Sequence, residues 1–68
     1  MVNKKELKKA LTIHDVTPQI IADAAGVHIS TVYRWLANPE KLNIGQIELI
    51  KNITGMDAQE FTRVFYCP

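Results

Sequence analysis

An all-α fold of five short helices around one core is what this sequence predicts, and three observations carry that reading. Helix-start residues recur at Asn3, Thr17, Asn43 and Asp57, each with a side-chain oxygen able to accept an N–H that the first helical turn leaves without a partner. Behind each of them apolar residues return every three or four positions, the period of one helix face. No strand signal competes, because there is no useful alternating run and no Asn-Gly or Asp-Gly hairpin turn. Sixty-eight residues permit a single domain, 1–68, with one small core, and a hydrophobic content of 47% is ample to fill it.

The first helix begins at Asn3, where Asn-Lys-Lys-Glu matches a capping box with Glu6 at the third helical position. Leu7, Ala10, Leu11 and His14 follow helical spacing, with Lys4, Lys5, Lys8 and Lys9 on the other side. Asp15 and Val16 form a short connection. Thr17 caps the second helix, and Pro18 takes its first position, where a missing N–H costs nothing. Ile20, Ile21, Ala24 and Ala25 supply its apolar positions, and Gly26 ends it as a left-handed cap.

The third helix is expected from near His28 to about Ala37, because Pro39 disfavours a helical conformation at Asn38. Residues 38 to 42 read as a loop. Asn43 caps the fourth helix with Gln46 three residues on, and Ile44, Ile47, Ile50 and Ile53 form its expected buried stripe, flanked by Leu49. Gly55 closes that helix. Asp57 opens the fifth, Glu60 completes another box, and Phe61, Val64 and Phe65 make its apolar side.

Composition removes several classes of function. Apolar runs are only a few residues long, so no membrane span is expected, and the basic start is not followed by an apolar stretch of secretory type. A cytoplasmic location follows. Cys67 is the sole cysteine, a free thiol suited to a reducing compartment. His14 and His28 have no partner ligands at metal spacing, so neither a metal nor any other cofactor is expected. Nothing resembles a carboxylate pair, a Gly-rich phosphate loop or a nucleophile–base arrangement, which argues against an enzyme and a small-molecule substrate. The net charge is only +1, but four lysines crowd the first ten residues while five of the seven acids fall after residue 20.

The segment from Ile21 to Trp35, IADAAGVHISTVYRW, resembles the helix-turn-helix of the lambda repressor/Cro-like family, with the motif spanning about 17–37. Ala22, Gly26, Val27, Val32 and Trp35 match that family's structural positions, and the likeness in element order extends over roughly residues 7 to 61. The size is most like that of a small phage Cro-type regulator. Three positions differ from the usual pattern: Pro18 stands where a glutamine is common, His28 where a small hydroxyl residue caps the helix, and Asn38-Pro39 where Asn-Gly often follows.

The resemblance implies a sequence-specific transcriptional regulator, a phage or prophage repressor that lays residues 28–37 in the major groove of double-stranded operator DNA. Val32 and Trp35 are then spaced to face inward, Trp35 as a core anchor. His28, Ile29, Ser30, Tyr33 and Arg34 form the side that approaches base edges. Arg34 has the planar fork that reads guanine O6 and N7, or it is a solvated or phosphate-bound arginine. Ile29 either meets a thymine methyl or packs against the turn. Tyr33 either bonds a phosphate or covers the neighbouring helix.

Thr17, Gln19, Thr31, Asn38 and Lys41 are the expected backbone contacts. The lysines of the first helix form a solvated face that can also steer toward DNA. Phe61, Val64, Phe65 and Tyr66 exceed what a terminal helix needs to close a small core, so a symmetric homodimer through them is expected, unless the phenylalanines fold back inside. Two alternatives stand beside this reading. One is a protein-interaction module on the same fold, an antirepressor or antitoxin; the other is the DNA-binding headpiece of a transposase or resolvase.

Overall fold

Side-chain oxygens at Asn3, Thr17, Asn43 and Asp57 each accept a backbone N–H from the helical turn they precede. The computed structural model describes residues 2–66; Cys67 lies outside them. These residues form α1 (Lys4–Ile13), α2 (Pro18–Ala25), α3 (Ile29–Ala37), α4 (Ile44–Thr54) and α5 (Ala58–Phe65), and no strand occurs among them. The segment 38–42, expected as a loop, carries a turn of 3-10 helix over Pro39–Lys41, with Pro39 buried. No helix among the described residues is long and apolar enough to cross a membrane.

The end of α1 shows why Asp15 and Val16 suffice as a connection. Asp15 takes a left-handed conformation (φ 55°), which a short polar side chain tolerates better than most. The Asp15 N–H then donates to the Thr12 carbonyl and the Val16 N–H to that of Leu11, at 3.2 and 2.9 Å. This paired closure brings Val16 back over Leu11, and both are buried. Gly26 ends α2 and Gly55 ends α4 in the same left-handed region, at φ 69° and 71°.

One cluster of buried side chains receives something from every helix: Leu7 and Leu11 of α1, Ile21 and Ala22 of α2, Val32 of α3, Ile50 of α4, Val64 and Phe65 of α5. Met56, between α4 and α5, joins them. Ala22 matters by being small, since α2 and α3 pack closely and a larger side chain there would separate them. α1 lies against α5 and α3, while α4 lies against α2. The chain is small and compact, with a Cα radius of gyration of 10.8 Å.

Several expectations require correction. In α2 the buried positions are Ile21 and Ala22, whereas Ile20 and Ala24 are exposed. In α4, Ile44 is 77% exposed and Ile50 is the buried centre of the helix. A three-residue repeat turns 300° per step, so it drifts by 60° each time and places Ile44 about 120° from Ile50 around the helix axis. Of the two other boxes, only the capping half forms as read. The Glu6 N–H donates to Asn3 Oδ1, but the Asn3 N–H donates to the Val64 carbonyl at 2.7 Å and so ties α1 to the end of α5.

The Glu60 carboxylate, in turn, meets His14 rather than serving only its own helix. His14 Nε2 lies 2.6 Å from Glu60 Oε1, joining the end of α1 to the first turn of α5. His14 is therefore the cap of α1 and a polar tie, not part of its apolar stripe. Val64 and Phe65 are 1% and 3% exposed, so the core uses them and they have no surface left for a second copy. Phe61 is half-buried and Tyr66 is 64% exposed.

Candidate functional site

α3 begins where His28 accepts the Ser30 N–H on ring Nδ1, at 3.1 Å. A histidine is an uncommon cap, yet its ring nitrogen does here what a hydroxyl or carboxylate oxygen usually does. Val32 is wholly buried and fixes the rotation of α3 about its axis. Trp35, expected as a core anchor, is partly buried: it packs on the core and also borders solvent. Ile29 likewise packs against the core while partly accessible. The exposed strip is left to Ser30, Tyr33 and Arg34, with His28 at its start.

α3 itself contains no carboxylate. The Ser30 hydroxyl lies 2.9 Å from the same His28 Nδ1. The Arg34 Nη2 donates to Thr31 Oγ1 at 3.2 Å, which leans the guanidinium along the helix toward its start. Only one of the five guanidinium N–H groups is needed for that contact, so the fork retains donors for a ligand.

Two hollows flank this strip and gather its neighbours. On one side a groove of about 430 Å³ runs between α1, Pro18 and α3, its floor made by Leu7, Leu11, Val16 and Leu36. Tyr33, Lys4 and Lys8 all border this groove, so two of the α1 lysines line the hollow that the exposed edge of α3 also lines. On the other side Arg34, Trp35, Asn38, Lys41, Leu42 and Gln46 line a hollow of about 220 Å³. Three residues named from sequence, Arg34, Asn38 and Lys41, are thus brought together.

Gln46 is a neighbour that sequence reading had absorbed into a cap. Its Oε1 accepts the Asn43 N–H at 3.0 Å, which leaves the amide NH₂ as a donor at the rim of that hollow. The signal was present in the capping box itself, since a box fixes one end of a glutamine and thereby aims the other. Thr17 and Gln19 are exposed at the start of α2. The Thr17 hydroxyl accepts the Ile20 N–H at 3.3 Å, and the Gln19 amide donates to Asp23 Oδ1 at 2.9 Å. Gln19 therefore stands next to a carboxylate, which weakens its reading as an anion contact.

Among the described residues no three His, Cys, Asp or Glu side chains come together as a metal site would require. A second surface gathers around α5, where the Phe61 ring is 5.0 Å from Phe65 and 5.6 Å from Tyr66, and Lys51 Nζ sits 5.2 Å above it. No protein-family model matches the chain, and no curated protein or solved structure shows significant similarity to it.

Proposed function

We propose that the chain is a sequence-specific binder of double-stranded DNA, a transcriptional regulator of the phage-repressor kind. Its α2 and α3 act as a helix-turn-helix that lays α3 in the major groove. The observation that carries the reading is the exposed strip of α3. It offers Ser30, Tyr33 and Arg34 and no carboxylate, while Lys4 and Lys8 line the groove that Tyr33 borders and Lys41 lines the hollow that Arg34 borders. A duplex needs such an arrangement, because base edges are read by the central side chains while phosphates on both sides of the groove meet cations.

In this reading Arg34 reads guanine, and Ser30, His28 and Tyr33 supply the remaining polar contacts. Thr17, Thr31, Asn38, Lys41 and Gln46 serve the backbone. Ile29 contributes chiefly by holding α3 in place. A dimer would use Phe61 of α5 and Tyr66 just after it, the aromatic side chains there that keep accessible surface, and would set two half-sites about one helical turn apart.

The test is a gel-shift titration at low salt against fragmented genomic DNA with non-specific competitor, comparing the unaltered chain with Arg34→Ala. Retained specific complexes for the first and their loss for the second support the reading. Absence of any complex at low salt overturns it. A second reading, a protein-interaction module on the same fold, is favoured by the apolar groove between α1 and α3 and by the exposed Ile44; capture of a partner protein with no DNA bound would support that one instead.

A further inference from the structure

A serine hydroxyl at a protein–DNA interface discriminates little, because it donates and accepts equally well. In this chain the neighbouring histidine removes that ambiguity. The Ser30 backbone N–H points at His28 Nδ1 from 3.1 Å. A backbone N–H only donates, so Nδ1 must offer its lone pair and carries no proton. The neutral ring then holds its proton on Nε2, the nitrogen on the far side. Ser30 Oγ lies 2.9 Å from the same Nδ1, whose single lone pair the hydroxyl proton shares with the backbone N–H in a three-centre bond. What Ser30 turns outward is its oxygen lone pairs. Both side chains are exposed on the same edge of α3.

We infer that His28 and Ser30 form one unit of fixed hydrogen-bond polarity, a donor at His28 Nε2 and an acceptor at Ser30 Oγ, which selects a base carrying an exocyclic amine. The inference rests on the DNA-binding reading above. In the major groove the amines are N6 of adenine and N4 of cytosine, whereas guanine and thymine present the acceptors O6 and O4 at the corresponding place. Ser30 therefore prefers adenine or cytosine and sets acceptor against acceptor at the other two. The His28 N–H suits a purine N7 or a carbonyl oxygen. Arg34, which has only donors, suits guanine in the same half-site.

Two measurements test this on the full chain. Nitrogen-15 NMR of the histidine-labelled protein reads the tautomer without DNA, and the expected result is a proton on Nε2 and none on Nδ1 of His28. Selection from a randomised duplex pool reads the preference. The unaltered chain should favour adenine or cytosine at one position by about fivefold, the scale of one hydrogen bond. His28→Asn keeps an acceptor for Ser30 and should keep that preference, while His28→Gly and Ser30→Ala should lose it. Ser30→Ala retains the backbone N–H that holds the ring, so its loss does not depend on a weakened helix start.

A protonated Nδ1, or an undiminished preference in His28→Gly, overturns the inference even if DNA is bound. The expected tautomer with no sequence-specific duplex binding by the unaltered chain overturns the DNA reading instead, and the base selection with it. The two failures are therefore distinguishable.

Discussion

Arg34 and Lys41 border the same hollow, yet they should fail differently when removed. On the proposed DNA-binding reading, a guanidinium against a guanine edge makes two directed bonds, so Arg34→Ala should cost about 1–3 kcal/mol of discrimination at one base position and little elsewhere. Arg34→Lys should not restore it, since an ammonium cannot present the fork. Lys41→Ala should weaken every sequence alike and leave the preference unchanged. Competition gel shifts with single-base variants of a selected duplex separate the two outcomes; a uniform weakening by Arg34→Ala would reassign Arg34 to the phosphates. Thr31 belongs to the same account, because its hydroxyl holds one Arg34 N–H at 3.2 Å and so sets the lean of the fork.

At the level of elements, α4 shows most clearly how far pattern reading reaches. Its ends were legible: Asn43 and Gln46 form both bonds of a capping box, and Gly55 closes the helix in the left-handed region. Its buried face was legible at Ile47, Ile50 and Ile53, which are buried or pack against the core, but not at Ile44, because a strict three-residue repeat walks around a helix of 3.6 residues per turn. Ile50→Ala should therefore destabilise the chain by about 2–5 kcal/mol, whereas Ile44→Lys should change stability by less than about 0.5 kcal/mol. Thermal or urea unfolding of the two variants measures both, and a large loss with Ile44→Lys would mean that this side chain is covered. Caps and glycines are local signals, which is why all five helices could be placed from the sequence. The Asn3 N–H to the Val64 carbonyl and His14 to Glu60 are contacts between residues far apart in the chain, and no local pattern announces them. The candidate site divides the same way. Arg34, Tyr33 and Ser30 follow from helix periodicity, whereas the sharing of one groove by Lys4, Lys8 and Tyr33, and of one hollow by Gln46 and Lys41, depends on how α1 and α4 pack.

Taken whole, the molecule has eight Lys and Arg against seven Asp and Glu, and a net charge of +1 gives almost no long-range pull toward a polyanion. If it binds DNA, attraction must come from cations gathered on one face within a Debye length of the phosphates, about 10 Å at 0.1 M salt. The cations beside the exposed strip of α3, apart from Arg34, are Lys4 and Lys8 on the groove and Lys41 on the opposite hollow. Each phosphate neutralised contributes about −0.9 to the slope of log affinity against log salt, so three such contacts give about −2.7 per subunit. Replacing Lys4, Lys8 or Lys41 by alanine should make the slope shallower by about 0.9 each, while Lys51→Ala, whose ammonium lies over Phe61 on α5, should leave it unchanged. Fluorescence anisotropy on one duplex over a series of salt concentrations gives these slopes directly. An equal response to Lys51→Ala would show that the charge acts as a diffuse total, and that the face built around α3 is not the one that meets the phosphates.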